Sequence, residues 1–290
     1  MTLRRSARRA LARIARHIPP RPGLYMFLWH DIGYGHPVID DRLVVSPEQF
    51  EQEIDWIWRH FAVIDLPRTG DILDLGTLGP RDRLAVLTFD DGFRGVVDHA
   101  APILGDLPFS VFVCRAAAHG FLLWPQMRTE VLRFAWLANS QRAWLLGLKA
   151  QWSAAYEREL SRLHALLHLS RPTDAYLTVQ ECITLAERPG VTLGNHTAHH
   201  HILSRLADPG PEIEDGARFI RECGGDPSWL AIPHGEPQHM PKTLEVGVRP
   251  LLGVGGPHQR GEATIPIRRI VVSPRRPVWL ATLLAGWGRR

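Results

Sequence analysis

The sequence has little cysteine and no long apolar run. Its 290 residues include three cysteines (Cys114, Cys182 and Cys223) without CxxC spacing, which argues against a disulfide framework and a cysteine-built zinc site. No stretch approaches the roughly 20 consecutive apolar residues of a membrane-spanning helix. Internal repeats and low-complexity segments are also absent. With 45% hydrophobic and 22% charged residues, the composition is that of an ordinary globular protein.

A basic body is also lacking. The chain has 34 basic and 30 acidic residues, but six of the arginines lie in residues 1–20, which contain no acid. The rest therefore has 28 basic and 30 acidic residues. The charge gives no support to nucleic-acid binding, and we expect no nucleic-acid partner.

Residues 1–20 predict a basic amphipathic helix that ends at Pro19 and Pro20. Leu3, Ala7, Ala10, Leu11, Ile14 and Ile18 share one arc of the helical wheel. The helix either lies on an anionic membrane surface or is a solvated or loosely docked terminal helix. No apolar segment typical of a signal peptide follows the charges. We therefore expect a cytoplasmic protein, peripheral to the membrane under the first interpretation.

Residues 21–290 predict one α/β domain, because apolar strand-like runs alternate with amphipathic helical segments. A helical insertion rich in Leu, Ala, Trp and Arg is predicted near residues 125–170. The alternation favours a barrel-like parallel sheet, with strands over 23–29, 83–89, 109–114, 190–194 and 230–232.

Polar side chains follow three of these strands where each strand ends. Asp90 and Asp91 follow one strand, His196 follows another, and His30 follows the first. Chemistry in parallel α/β folds collects at the carboxyl ends of strands. The sequence therefore predicts that these side chains share a functional site.

Two segments carry most of this prediction. Asp90-Asp91-Gly92 alone is typical of a turn, and residues 196–200 (HTAHH) alone can be a surface loop. His196 and His200 converge if their loop turns helically, and two histidines with a carboxylate commonly bind a catalytic divalent ion. Together the segments predict a metallohydrolase, in which His199 and His201 are solvated neighbours or substitute ligands.

At these residues the chain resembles the polysaccharide deacetylase family (NodB homology, carbohydrate esterase family four). Residues 88–92 resemble its first motif, T-F-D-D-G, and residues 196–200 its second, H-[ST]-x-x-H. Residues 231–235 (AIPHG) are similar to the P-Y-G segment of the third motif, with histidine in place of tyrosine. The runs LWHDI and IPIRRIVV resemble the opening and closing segments of a subgroup with an N-terminal M-Y-H-like element.

The resemblance implies a distorted (β/α) barrel that removes N-acetyl, sometimes O-acetyl, groups from glycans. The substrate would be an acetylated amino sugar in a polysaccharide or its lipid-linked precursor. Asp91, His196 and His200 would hold a divalent metal, usually Zn²⁺, and Asp90 would be the general base. The backbone N–H of His234 would bind the oxyanion.

Two departures from the family pattern leave alternatives open. Ala231 stands where the family has the arginine that orients the base, and no C-terminal L-x-H supplies an acid. In the M-Y-H subgroup the acid comes from the first strand, where His30 stands here; a structural histidine is the alternative. A non-catalytic glycan-binding or assembly protein, or a hydrolase of a small amide, are the rival functions.

Overall fold

The computed structural model describes residues 11–12, 14–133, 139–147, 153–169, 173–245, 247–260 and 266–287. The first half runs β1 (Gly23–Trp29), β2 (Asp31–Ile32), β3 (Val44–Val45), α1 (Pro47–His60), β4 (Ala62–Val63), α2 (Leu66–Leu75), β5 (Arg83–Phe89), a π-helical turn (Val96–Ala100), α3 (Ala101–Leu104) and β6 (Phe109–Val113). The second half runs α4 (Arg115–Ala118), α5 (Trp124–Arg133), α6 (Asn139–Gly147), α7 (Ala154–Leu166), α8 (Val179–Glu187), β7 (Val191–Asn195), α9 (Gly210–Glu222), β8 (Trp229–Ala231), β9 (Arg249–Leu252), β10 (Ile267–Arg268), β11 (Ile270–Val271) and α10 (Val278–Trp287).

The main sheet is parallel, in the order β10-β9-β8-β7-β6-β5-β1-β11, with β4 also pairing with β5. Every residue of β1 and β6 is buried, as expected for strands covered on both faces. Strands β10 and β11 are separated by one residue, Arg269. Because β10 pairs with β9 and β11 pairs with β1, residues 267–271 join the two edges of the sheet. The result is a nearly closed barrel, which confirms the predicted distorted (β/α) barrel.

Helix α1 covers the barrel and begins at a Ser46 cap, whose hydroxyl accepts the Gln49 N–H. Its buried Glu53 accepts hydrogen bonds from the Trp29 indole of β1 and from the Gln49 amide, both at 2.8 Å. Burial raises the pKa of Glu53 to about 8, although both hydrogen bonds oppose the shift. A carboxyl group that is largely protonated at neutral pH thus ties α1 to the first strand.

The end of the predicted N-terminal helix packs on this same side of the barrel. Ala15 belongs to the main hydrophobic core, and the Arg16 carbonyl accepts a 3.0 Å hydrogen bond from the Trp56 indole. Ile14 and Ile18, expected on one apolar face with Leu11, are 59% and 40% exposed. Residues 1–10 and 13 lie outside the described residues. In the described part of the chain, no helix has the length and apolar character required to span a bilayer.

The helical insertion supports one wall of the barrel opening. Its described part consists of α5, α6 and α7, which share a small core with the loop after β7. Within it, His164 contacts Glu130 at 2.7 Å. Trp124, at the start of α5, is fully buried and donates its indole N–H to the His200 carbonyl at 3.0 Å. The insertion therefore packs against the loop that carries His200 and supports it.

Candidate active site

The carboxyl end of the barrel contains a cavity of about 410 Å³. Its lining includes all six site residues expected from the sequence, which are His30, Asp90, Asp91, His196, His200 and His234. These side chains follow β1, β5, β7 and β8, which are neighbours or near neighbours in the parallel sheet. The parallel order explains why residues far apart in sequence meet at one edge.

Asp91, His196 and His200 converge on one point. The Oδ1 atom of Asp91 lies 3.1 Å from His196 Nε2 and 3.2 Å from His200 Nε2. His196 Nδ1 lies 2.8 Å from the Ala231 carbonyl, to which it donates in the neutral tautomer, so that Nε2 keeps its lone pair. Two imidazole nitrogens and a carboxylate oxygen suit a catalytic divalent ion, and the three atoms are close enough to share one.

The electrostatics of Asp91, His196 and His200 favour an ionised carboxylate with positive charge beside it. Burial opposes ionisation of Asp91, but His200 and His196 outweigh burial and hold the pKa of Asp91 well below its usual range. Burial disfavours the charged form of His196, yet Asp90 and Asp91 raise its pKa overall. The buried carboxylate therefore needs positive charge beside it, which protonated imidazole or a metal ion can supply.

The loop of residues 196–200 does not turn helically, so the expected route to convergence is wrong. Thr197 and His200 instead adopt left-handed backbone conformations, with φ of 70° and 63°. The Asn195 side chain accepts the Thr197 N–H at 2.8 Å, and the Thr197 hydroxyl accepts the His200 N–H at 3.2 Å. The side chains of Asn195 and Thr197 therefore stabilise a non-helical turn that brings His196 and His200 together.

Glu212 of α9 holds the same loop from behind. Its Oε1 accepts the His199 N–H at 2.7 Å, and its Oε2 lies 3.0 Å from His199 Nδ1 and 3.1 Å from His201 Nδ1. Burial disfavours protonation of His201, but Glu157 and Glu212 raise its pKa to about 9. His199, His201 and Glu212 are also close enough to share a metal ion. The contacts of both flanking histidines with Glu212 hold the loop in place, although the His199 side chain is 44% exposed and therefore partly solvated.

Asp90 faces a different partner from its neighbour. Its two carboxylate oxygens each lie 2.7 Å from a terminal nitrogen of Arg269, a fully buried residue. Burial opposes ionisation of Asp90, but Arg269 and His196 lower its pKa overall. The Arg269 Nε also donates to the Leu252 carbonyl at 3.1 Å. The segment that closes the barrel thus supplies Asp90 with an arginine partner, whereas Ala231 stands at the position of the third motif's arginine.

Arg269 is the site residue that the sequence reasoning missed. A signal was present, because Arg268 and Arg269 interrupt an otherwise apolar strand-like run. Successive side chains of a strand point to opposite faces, so one of two adjacent arginines must point inward. Only the closure of the barrel shows which one does, and which carboxylate it meets.

His30 and His234 are the remaining two of the six expected residues in the lining. Burial lowers the pKa of His30, while the charges of Asp91 and Asp90 favour its protonated form. His234 has a left-handed φ of 62°, and its ring centre lies 4.9 Å from that of His200. Both residues therefore stand beside the convergent group without being part of it.

Comparison with known proteins agrees with this geometry. Residues 78–247, more than half of the chain, match the polysaccharide deacetylase family. The chain therefore belongs to the polysaccharide deacetylase (NodB homology) family and is an amide-bond hydrolase. His30 and Arg269 lie outside the matched residues. No curated protein matches the sequence significantly.

Solved structures show the same fold at low sequence identity. The Streptococcus pyogenes deacetylase PplD in complex with acetate matches with a TM-score of 0.60 and 14% identity, over 92% of this chain and 98% of that one. IcaB from Ammonifex degensii matches with a TM-score of 0.56 and 17% identity, over 93% and 99%. The BpsB deacetylase domain from Bordetella bronchiseptica matches with a TM-score of 0.51 and 18% identity, over 87% and 98%.

Proposed function

We propose that the protein is a metal-dependent N-deacetylase of an amino sugar in a polysaccharide or its lipid-linked precursor, in exopolysaccharide biosynthesis. One observation carries the proposal: two adjacent carboxylates face different partners. Asp91 meets two imidazole nitrogens, whereas Asp90 meets Arg269. This division of roles suits a hydrolase that needs one metal ligand and one base at the same site.

Asp91, His196 and His200 would hold the ion, for which we propose Zn²⁺. A divalent ion bound there supplies Lewis acidity to the acetyl carbonyl and to the attacking water. The hydrogen bond from His196 to the Ala231 carbonyl keeps the ligating nitrogen deprotonated. The Glu212 contacts fix the loop that presents His200.

Asp90 would be the general base. Arg269 keeps its carboxylate ionised and fixes the plane of the two oxygens, so that one can receive a proton from water as it attacks. His30 would protonate the leaving amine, because amide cleavage expels a poor leaving group and His30 lines the same cavity as Asp90 and Asp91. The His234 N–H would stabilise the oxyanion.

The presence of Arg269 weakens the rival function. A non-catalytic glycan-binding or assembly protein is favoured by the missing motif arginine, whereas the contact of Arg269 with Asp90 supports the catalytic alternative. Acetate, held in the PplD structure, is the product expected here. A role at an anionic membrane surface through residues 1–20 stays part of the proposal and fits a lipid-linked substrate.

The test is acetate release from N-acetylated glycans by purified protein, with and without a chelator. We expect turnover that the chelator abolishes and zinc restores. Asp90→Asn should keep its metal but lose about 10²–10⁴ in rate, the usual contribution of a general base. Release from no glycan, or equal release by wild type and Asp90→Asn, would contradict the proposal.

His30→Ala separates the proposed acid from a structural histidine. If His30 protonates the leaving amine, the variant should lose more rate on the amide than on an activated ester, whose leaving group needs no proton. Its metal content should stay at the wild-type value. Equal losses on both substrates would assign His30 a structural or positioning role.

A further inference from the structure

The part of α5 that lines the cavity carries two buried polar atoms without a hydrogen-bond partner within the described residues. They are Oε1 of Gln126 and Nε of Arg128, both on α5 of the insertion. Gln126 is only 2% exposed. Buried polar groups are normally paired, so an unpaired acceptor and an unpaired donor on one helix require an explanation.

The Arg128 guanidinium is also without an ion pair among the residues that the structure describes. It lies 5.9 Å from the centre of the Trp124 ring. The nearby Arg42 is occupied, because its Nε lies 2.9 Å and 3.0 Å from the two carboxylate oxygens of Asp40. Since that pair is neutral as a whole, Arg128 leaves uncompensated positive charge at this side of the cavity.

The other charges in the cavity are directed elsewhere. Asp90 is held by Arg269, and Asp91 by two histidines. Glu236 approaches His239 and accepts a hydrogen bond from the Gln238 amide. None of these contacts involves Arg128, so an oxyanion can bind its guanidinium without displacing a protein partner among the described residues.

We infer that α5 recognises an oxyanion, a carboxylate or a phosphate, on a sugar unit of the substrate, with Arg128 binding the oxyanion and Gln126 Oε1 accepting a hydrogen bond from a sugar hydroxyl or N–H. The inference rests on the proposed function and narrows it to an anionic glycan. The planar guanidinium matches the two oxygens of a carboxylate or phosphate. An ordered water on Gln126 is the simpler alternative.

Three N-acetylated substrates test the inference: neutral chitotetraose, an N-acetylheparosan tetrasaccharide with uronate carboxylates, and N-acetylglucosamine 1-phosphate. We expect wild-type protein to favour one of the anionic substrates, which identifies the source of the oxyanion. Arg128→Gln should lower kcat/KM on that substrate about 10- to 100-fold, mainly through KM, as for a lost charge-assisted hydrogen bond. Its loss on chitotetraose should be below about 3-fold.

Two variants make the comparison specific. Arg128→Lys keeps the positive charge but not the planar, two-pronged guanidinium, and it should recover part of the kcat/KM that Arg128→Gln loses. Arg162→Gln removes an arginine of α7 whose side chain is 72% exposed, and should behave as wild type on all three substrates. A wild-type preference for chitotetraose, or an equal loss of Arg128→Gln on all substrates, would overturn the inference and leave the proposed function intact.

Gln126→Met separates recognition from a structural role. Because Oε1 has no protein partner to lose, the variant should keep or raise the wild-type Tm while KM for the preferred glycan increases. A lower Tm with unchanged KM would overturn the part assigned to Gln126. If wild type releases no acetate from any substrate, the proposed function fails. Calorimetric binding of the same three compounds to wild type and Arg128→Gln then decides the oxyanion inference alone.

Discussion

Both terminal nitrogens of Arg269 lie 2.7 Å from the two carboxylate oxygens of Asp90, although 179 residues separate the two in sequence. Asp90 follows β5, and Arg269 lies between the two short strands that join the edges of the sheet. The orientation of this carboxylate therefore depends on closure of the barrel, and neither residue can be replaced without consequence for the other.

Replacing Arg269 should affect stability and rate separately. Arg269→Lys keeps a positive charge but cannot form the two-pronged contact, so we expect kcat to fall about 10- to 100-fold at unchanged metal content. Arg269→Met leaves a buried carboxylate unpaired and should lower the free energy of unfolding by about 3–5 kcal/mol. Steady-state kinetics, elemental analysis and denaturant unfolding measure these effects.

A second substitution provides the control for that prediction. In the double variant Arg269→Met with Asp90→Asn, the unpaired charge is gone, so part of the lost stability should return. A double variant no more stable than Arg269→Met would show that the guanidinium acts through packing alone.

Zinc binding should depend on the two ligand histidines and not on a histidine outside their loop. His196→Ala and His200→Ala each remove one of three convergent donors and should lose bound zinc, because two remaining ligands rarely hold a catalytic ion. His60→Ala, at the end of α1 and outside this loop, is the control and should keep its zinc. Elemental analysis of purified protein measures both. Unchanged zinc in His196→Ala and His200→Ala would refute the site.

The shape of the ligand loop depends on a glycine in the helix behind it. A Cβ added to Gly216 of α9 would lie 2.4 Å from Asn195 Oδ1 and 2.8 Å from Thr197 Cα. Gly216→Ala should therefore shift the loop, destabilise the fold by about 1–3 kcal/mol and weaken zinc binding about 10- to 100-fold.

The matched control for this substitution is Gly147→Ala. A Cβ at Gly147, the last residue of α6, would meet nothing within 4 Å. It should leave both stability and zinc affinity near wild type. Competition with a chromophoric chelator measures zinc affinity. Equal affinities for Gly216→Ala and wild type would mean that the loop tolerates displacement.

Glu53 should make stability decline with increasing pH. Burial raises its folded-state pKa from 4.5 to about 8, so between these values the folded protein holds a proton that the unfolded chain releases. Its contribution is therefore present below about pH 4.5 and is lost as pH rises towards 8. Glu53→Gln cannot ionise and should flatten the dependence by up to about 1.4 kcal/mol per pH unit.

Urea unfolding between pH 5.5 and 8.5 measures this difference. Glu51→Gln, an exposed residue of the same helix, should leave the slope unchanged. If the free energy of unfolding depends on pH in the same way for wild type and Glu53→Gln, Glu53 keeps the ordinary pKa of a glutamate despite its burial.

Truncation should distinguish membrane binding from packing. Removing residues 1–10 takes away Arg4, Arg5, Arg8 and Arg9 and should weaken binding to anionic vesicles, at about 1 kcal/mol per arginine near the surface. Hydrolysis of a soluble substrate and Tm should be unaffected. Removing residues 1–20 also deletes buried Ala15 and the carbonyl that Trp56 contacts, so Tm should fall.

Co-sedimentation with anionic and with neutral vesicles provides the measurement and its control. Full-length protein should prefer the anionic vesicles, and the preference should weaken at high salt. Equal sedimentation of full-length and shortened protein would refute a membrane role for residues 1–10.

The sequence was sufficient to predict the barrel and six of the side chains that line its cavity. Strand-like runs ending in Asp90, His196 and His30 predict where parallel strands present their side chains. It was insufficient for Arg269, because the partner of a buried charge depends on which strands become neighbours at closure. The conformation of Thr197 was equally hidden, since a left-handed backbone angle leaves no periodic pattern in the sequence.

The order in which Asp90 and Arg269 are synthesised also bears on biosynthesis. A ribosome exposes Asp90, His196 and His234 long before the segment from Ile267 to Val271 emerges. A product terminated before that segment would carry Asp90, Asp91, His196, His200 and His234 and still leave Asp90 without its cation. Competence would therefore be acquired only after residues 267–271 have emerged, and products terminated before them would be recognisable as family members without being working enzymes.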